Sequence, residues 1–174
     1  MRTVGCSFLV LISAMLCLGQ EGSKGVRPFD PALKITKISQ TGRISLEISN
    51  SSKEALKLWE KSNSWGAADW RVLRIRGGRI DVFFQNPYQV FTANAPTFVQ
   101  INPGAHIEST LDINGGDWCG LGHCSSYNQR GLGGQEIRFK AGDTIVVVYD
   151  VPPTKESQSM QVWHGVAAAS TTVR

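Results

Sequence analysis

Residues 70–85 have the sequence WRVLRIRGGRIDVFFQ, and this stretch predicts a β-hairpin. Two segments rich in apolar and β-branched residues, 70–76 and 80–85, flank the pair Gly77-Gly78. A tight turn between antiparallel strands requires positive φ angles, which glycine adopts without steric strain. The hairpin therefore indicates that the chain builds antiparallel β-structure.

Short strand patterns continue on both sides of the hairpin, separated by Gly, Pro and Asn turns. Residues 43–50 alternate apolar and polar side chains, as a strand with one buried face does. The β-branched segment 144–149 predicts a central strand. Further strands are predicted at 55–59, 97–101, 106–113, 136–139 and 160–168. One helical turn is an alternative for 52–60, because this segment contains good helix formers.

Many short strands without intervening helices predict an all-β fold. We expect a single-domain antiparallel β-sandwich, Ig-like or related, in residues 33–174. Ig domains usually carry cysteines on two facing strands, whereas the cysteines here are close in sequence, so this comparison concerns fold class alone. A flexible lead-in is expected at 20–32, and a long Gly-rich loop at 114–134 interrupts the strand pattern.

The first residues predict a cleavable export signal at 1–19. Arg2 supplies a positive charge, and the apolar run 4–18 is too short to cross a bilayer comfortably. Small residues on either side of Leu18 suit signal peptidase, so cleavage is expected after Gly19. The alternative is an uncleaved N-terminal anchor. We expect a secreted, extracellular mature chain without a membrane span.

The net charge of the chain does not indicate a particular class of partner. The formal net charge of the chain is +4, and the loss of Arg2 with the signal would lower it by one. Such a small excess argues against a nucleic-acid ligand. The mature chain of about 155 residues has no fixed-period repeat and is long enough for one domain with its own core.

Cysteine usage agrees with export. Cys6 and Cys17 would leave with the signal, and Cys119 and Cys124 would remain. Two glycines between the remaining pair let the backbone fold back, and an oxidising compartment favours a disulfide. Because the closed loop is short, we expect the bridge to fix the shape of the long loop and to stabilise the whole fold only modestly.

The histidines give weak support for catalysis or metal binding. His106 and Glu108 lie two residues apart in a predicted strand, which places both on its solvated face. His123 lies between the two remaining cysteines, but their disulfide would consume ligands that zinc requires. No nucleophile or phosphate-binding motif accompanies His164, which is expected on a late strand. An enzyme is therefore the less favoured reading, and no catalytic residue, metal ligand or cofactor is assigned.

Two segments are better suited to binding a ligand than the histidine-containing segments are to catalysis. Trp65 is expected at the tip of a polar loop, whereas Trp59 and Trp70 are expected to end strands and pack in the core. The long loop would present further side chains on a backbone constrained by the bridge, and its alternative role is a cover over one end of the sandwich. The predicted binding residues are Trp65, Asp117, Trp118, His123, Tyr127 and Arg130.

Two other surface features, a pair of arginines and a glycosylation sequon, allow a functional and a structural interpretation. Arg74 and Arg76 share a predicted strand face and could attract an acidic glycan or a phosphate, but an edge strand guarded against aggregation is the preferred interpretation. Asn50-Ser51-Ser52 is a glycosylation sequon in a predicted turn. Asn50 is therefore a candidate glycan acceptor if the source is a eukaryote.

Together these features predict a secreted β-sandwich that acts as a binding module for an extracellular protein or a glycan. One alternative is a secreted hydrolase whose catalytic residues come from distant positions. Another is a protein ligand that resembles a protease inhibitor and uses the bridged loop. The sequence does not indicate an oligomeric state.

Overall fold

The computed structural model describes residues 31–85, 95–115, 118–120 and 136–174. The described residues form ten strands and two short helices. The strands are β1 (Ala32–Ile38), β2 (Arg43–Ser49), β3 (Leu56–Trp59), β4 (Trp70–Arg76), β5 (Arg79–Gln85), β6 (Phe98–Ile101), β7 (His106–Asp112), β8 (Trp118–Gly120), β9 (Thr144–Val151) and β10 (Gly165–Thr172). The helices are α1 (Ser64–Ala67) and α2 (Lys155–Ser159).

The strands pair in antiparallel fashion to form three sheets in the described part of the chain. A three-stranded sheet has the order β1-β2-β7, a five-stranded sheet has the order β10-β9-β4-β5-β8, and β3 pairs with β6. The predicted all-β class is thereby confirmed. Because residues of all three sheets share one hydrophobic core, the arrangement is compatible with a β-sandwich.

The core is built from alternate residues of the strands. Ile44 and Ile48 of β2 point inward and are at most 3% exposed, as the alternating pattern predicts. Val72 of β4 and Val147 of β9 are completely buried in the same cluster. Burial of each such side chain contributes about 1.5–3 kcal/mol relative to exposure, so this cluster is the main source of stability.

The predicted hairpin is confirmed. Gly77 and Gly78 join β4 to β5 with φ angles of 53° and 79°. A Cβ atom on either residue would meet no atom within 4 Å. The turn therefore requires glycine for its backbone conformation, since space is freely available there.

One predicted strand is absent from the structure. Residues 136–139 form no strand, because the amides of Ile137 and Phe139 donate to the Asn114 side chain (2.7 Å) and to the carbonyl of Gln40 (3.1 Å). The strand predicted at 55–59 is present as β3, which excludes the alternative of a helical turn at 52–60. Apolar spacing thus located buried side chains correctly at 136–139 without identifying their backbone partners.

The last strand starts later than the predicted segment 160–168, because α2 precedes it. Thr154 caps this helix: its hydroxyl accepts from the Ser157 amide (3.1 Å), and its own amide donates to the Ser157 hydroxyl (2.9 Å). This capping box fixes the start of α2. His164 consequently lies immediately before β10 instead of within it.

β1 is a strand that the sequence analysis does not predict. It pairs with β2 at the edge of the three-stranded sheet, and its register shifts between Ile35 and Lys37. Such a bulge interrupts the two-residue period by which a strand is recognised.

Candidate interaction surface

The five-stranded sheet has apolar side chains on both faces. In β9, Ile145 and Val147 enter the core with no exposed surface, whereas Val146 and Val148 point to the opposite face and are half-buried. In β4, Leu73 points to that opposite face as well. An antiparallel sheet with one solvated face normally alternates apolar and polar residues. This sheet therefore has a second apolar surface.

We call this second surface the outer apolar face. Strand register places Val146, Leu73 and Val82 in one row across β9, β4 and β5. None of its members belongs to the described core cluster or packs against it. The outer apolar face consists of Leu73, Ile75, Ile80, Val82, Phe84, Val146, Val148 and Val166.

Exposure is greatest at two opposite corners of this face. Val166 on β10 is 63% exposed, and Ile80 on β5 is 39% exposed. The third large hydrophobic side chain that is exposed in the described part of the chain is Phe98 (37%), which lies on β6 in another sheet. Apolar exposure is therefore concentrated on the five-stranded sheet.

A polar cluster borders one end of the outer apolar face. Arg71 donates to Asp150 at 3.2 Å, and both side chains are 43% exposed. Asp69 is only 6% exposed, and its Oδ2 atom has no hydrogen-bond partner among the described residues. The Asp69 carbonyl accepts from the Asp150 amide at 2.9 Å, which holds the two aspartates close together.

Burial raises the pKa of Asp69 well above the ordinary value of an aspartate. Desolvation raises the pKa of its carboxyl group to about 7, the nearby charge of Asp150 raises it as well, and Arg71 opposes the rise. Burial also raises the pKa of the neighbouring Tyr149 hydroxyl. The cluster therefore contains one carboxyl group that changes its charge near neutral pH.

Trp65, a predicted binding residue, lies in helix α1 rather than at a loop tip. Asn63 caps this helix by accepting from the Gly66 amide at 2.9 Å. The Trp65 ring lies 6.1 Å from the ring of Trp59, centroid to centroid, and is partly buried against the core. A Cβ atom on Gly66 would come within 2.4 Å of the Glu60 carbonyl. Glycine is therefore required at position 66 for α1, which contains Trp65, to pack against the end of β3.

Trp118 is buried, with 3% exposure, and belongs to the core. Its ring therefore packs inside the fold instead of forming an exposed contact. Cys119 follows it on β8 and lies opposite Phe84 in register. The other residues of the predicted loop site, Asp117, His123, Cys124, Tyr127 and Arg130, lie outside the described residues. Their binding role and the pairing of Cys119 with Cys124 stay predictions.

Asn50, the predicted glycan acceptor, has a structural role. Its side chain is 3% exposed, and Nδ2 donates to the carbonyls of Glu54 (2.7 Å) and Ile101 (2.9 Å). Its Oδ1 accepts from the Ser52 amide at 2.9 Å. A glycan on Nδ2 would break these hydrogen bonds, so the folded chain offers no accessible acceptor at Asn50. The side chain instead organises the turn between β2 and β3.

The arginine-rich strand β4 lies between β9 and β5, so its interpretation as a guarded edge is wrong. Arg74 and Arg76 do share a face, and both donate to the carbonyl of Arg138. Arg74 binds Asp81 at 2.6 Å, and Arg76 binds both carboxylate oxygens of Asp143 at 2.6 Å. The hydrogen bonds from Arg76 lower the pKa of Asp143 to about 2. Both arginines are thus neutralised by carboxylates.

The pair His106 and Glu108 lies on a solvated strand face. Both residues are exposed on β7, as predicted. Within the described ranges, no group of three His, Cys, Asp or Glu side chains could hold a metal ion. The described ranges contain no helix that is long and apolar enough to cross a membrane.

An open polar cavity of about 560 Å³ lies beside the three-stranded sheet. Thr36, Lys37, Lys61 and Glu108 contribute to its lining. Lys61 donates to the carbonyl of Thr110, and burial lowers the pKa of its ammonium group. The cavity combines hydroxyl, ammonium and carboxylate groups, in contrast to the outer apolar face.

No family model and no curated protein matches this chain. Among solved structures, the chain is similar to a chain of the archaellum periplasmic stator protein complex FlaF and FlaG from Sulfolobus acidocaldarius. The two share 8% sequence identity, the TM-score is 0.37, and the match covers 87% of this chain and 98% of that chain. A likeness of this size carries no argument about function.

Proposed function

We propose that this chain is an exported interaction module that binds another protein through the outer apolar face. The observation that carries the proposal is a sheet with two apolar faces, one of which builds the core while the other has no contact with the core cluster among the described residues. Removal of apolar surface from water contributes about 25 cal/mol per Å² and is the main favourable term in association. Contiguous apolar patches on a folded domain accordingly mark interaction sites.

A protein partner suits this face better than a glycan. Its members are aliphatic apart from Phe84, and the adjacent charges of Arg71 and Asp150 neutralise each other. Sugars require several directed hydrogen bonds together with aromatic stacking, which this face does not provide. An apolar protein surface would meet it without leaving polar groups unpaired.

The finer fold that accompanies this proposal is an Ig-like sandwich. The order β10-β9-β4-β5 corresponds to the G-F-C-C′ sheet of a variable-type Ig domain, and β1-β2-β7 corresponds to strands A, B and E. β8 extends the first of these sheets. The correspondence supports the sandwich on topology and carries no information about ligands.

The predicted bridge and export signal complete the proposal. A disulfide between Cys119 and Cys124 would hold the long loop beside Phe84, at one edge of the outer apolar face. Cleavage of the predicted signal at 1–19 would release the module outside the cell, where such a bridge persists. Trp65 would then support the fold at α1 instead of contacting the partner.

Site-specific photo-crosslinking tests the proposal. The photoreactive residue p-benzoylphenylalanine replaces Val166 in the full chain, produced by the organism that makes it. The matched control carries the same residue in place of Phe98, which is also exposed but lies in another sheet. We expect a protein adduct of defined mass from position 166 and none from position 98. Absence of an adduct at 166, or equal adducts at both positions, would overturn the proposal.

The polar cavity favours glycan binding as a second candidate function. Lys37 and Glu108 on its wall could hydrogen-bond to sugar hydroxyls or to a sugar carboxylate. On a glycan array, Lys37→Ala should abolish binding if the cavity is the site, whereas Lys34→Ala, on the same strand outside the cavity, should retain it. Equal binding by both variants would assign any glycan signal to another surface.

A further inference from the structure

We propose that the outer apolar face binds a second copy of this chain, so that two five-stranded sheets pack face to face. This inference rests on the proposed function, because it names the partner of the same surface. The two copies would be related by a twofold axis, as in most homodimers. Each copy would contribute an identical set of aliphatic side chains to the shared layer.

The size of the face suits a reversible dimer. Its residues span four neighbouring strands and the length of β9. With about 4.8 Å between strands and about 3.3 Å per residue, the patch measures roughly 20 Å by 20 Å. Two copies would therefore bury roughly 800 Å² in total, which is below the range of specific, stable interfaces and corresponds to a weak, transient contact. We accordingly expect dissociation in the micromolar range, about 1–100 μM.

The charge distribution also fits a copy of the same surface. On the outer side of the described strands, the charges are those of the polar cluster at one end, where Arg71 and Asp150 already form an ion pair. The rest of that side is apolar or carries small hydroxyl side chains such as Ser170 and Thr172. A highly charged partner would lose solvation without gaining ion pairs, whereas an identical surface carries charges only in the Arg71–Asp150 pair at one end.

The geometry of the face permits close packing. Val146, Leu73 and Val82 form its central row, with Val148 and Phe84 in one neighbouring row. Two sheets of this kind pack about 10 Å apart, with interdigitating side chains and strand directions about 30° apart. On the core side of this sheet, the aliphatic side chains of Val72, Ile145 and Val147 are already buried.

Sedimentation equilibrium of the purified chain tests the inference. Between about 1 and 200 μM, a range set by the expected affinity, the average mass should rise from that of one chain to that of two. Val166→Glu places a charge on the exposed corner of the face and should weaken the dimer by about tenfold or more. Phe98→Glu, the matched control, should leave the dissociation constant unchanged.

Far-UV circular dichroism establishes that each variant is folded, and Ile80→Glu at the opposite corner is a second variant should Val166→Glu fail to fold. A monomer over the whole concentration range, or a dimer that neither variant weakens, would overturn the inference. The crosslinking experiment separates the two proposals. An adduct of a different protein at position 166, with a monomer in the centrifuge, would retain the interaction module and reject self-association.

Discussion

Two aspartates at the ends of the five-stranded sheet show how the surroundings of a carboxyl group set its charge. Asp69 is desolvated beside another carboxylate, so its pKa rises to about 7. Asp143 is buried as well, but it accepts two hydrogen bonds from Arg76, so its pKa falls to about 2. The two residues therefore affect stability in opposite directions as the pH changes.

We expect Asp69→Asn to stabilise the chain at pH 8 and to have little effect at pH 4. The folded-state pKa of Asp69, about 7, lies above the value of about 3.9 in an unfolded chain. The stabilisation from proton binding is therefore complete below about pH 4 and is lost as the pH rises through 7. Asparagine carries no charge at either pH.

Urea unfolding at both pH values measures this effect. The gain at pH 8 should exceed about 1 kcal/mol, the free energy that corresponds to roughly one pKa unit. An equal gain at pH 4 and pH 8 would show that the charge of Asp69 is not its cause.

Asp143→Asn should destabilise the chain by about 1.5–3 kcal/mol at pH 7, because it weakens two charge-assisted hydrogen bonds from Arg76. The folded-state pKa of about 2 lies below the unfolded value of about 3.9, so this stabilisation is present above pH 4 and is lost as the pH falls through 2. Asp112→Asn is the matched control.

The control removes an exposed pair with Arg43 and should change the free energy of unfolding by less than about 1 kcal/mol. Denaturant unfolding at pH 7 compares the two variants. Similar losses from both would contradict the structural distinction between the two ion pairs.

At the residue scale, the sequence revealed burial better than it revealed hydrogen-bond partners. Trp59 and Trp70 are buried as predicted, because large apolar residues at strand ends usually enter the core. The sequon at Asn50 gave no sign that both amide hydrogens bind backbone carbonyls. One of those carbonyls belongs to Ile101, far along the chain, and sequence spacing does not report such contacts.

The end of helix α2 contains the only non-glycine residue with a positive φ angle among the described residues, Gln161 at 56°. The amides of Gln161 and Val162 donate to the carbonyls of Gln158 (3.2 Å) and Ser157 (2.8 Å), which is a Schellman motif. Glycine normally occupies the Gln161 position, because its lack of a Cβ atom relieves the left-handed strain.

We therefore expect Gln161→Gly to stabilise the chain by about 0.5–1 kcal/mol, because relief of the left-handed strain (about 1–2 kcal/mol) exceeds the entropy cost of glycine (about 0.5–1 kcal/mol). Thermal unfolding would show this as a higher Tm. Gln158→Gly is the control, because it places glycine inside α2 and should lower the Tm. A lower Tm for Gln161→Gly would indicate that its side chain makes a stabilising contact that outweighs the strain.

At the element scale, strands with an uninterrupted two-residue period could be predicted, and irregular ones could not. β2 and the β4-β5 hairpin were found from alternation and from Gly77-Gly78. β1 was missed because its bulge breaks the period and most of its side chains are partly exposed. The alternation of apolar and polar residues indicates which side chains enter the core. It does not show whether the backbone pairs with a neighbouring strand, which a strand also requires.

At the scale of the whole molecule, we expect cooperative unfolding. Leu46, Leu58 and Val147 come from three different sheets and belong to one core cluster. Loss of any sheet would expose the core surface of the others, so tryptophan fluorescence and far-UV circular dichroism should give the same urea midpoint. An earlier fluorescence transition would show that one sheet unfolds separately.

The full extent of the outer apolar face becomes visible only at this largest scale. The segment 144–149 indicates its presence in the sequence, since a strand without polar alternation has apolar side chains on both faces. That signal does not say which residues of β4 and β5 continue the surface. The strand register supplies this information, because it aligns Leu73 and Val82 with Val146.

The Gly77-Gly78 turn has a practical consequence for protein engineering. Both glycines are exposed, with open space where side chains would extend. Strand register places the turn near Thr144, at the end of the sheet opposite Asp150 and Val166. Surface turns of this kind tolerate insertions, and each doubling of loop length costs only about 0.6 kcal/mol. A fluorescent tag inserted there would label the folded chain far from the corner that Val166 occupies.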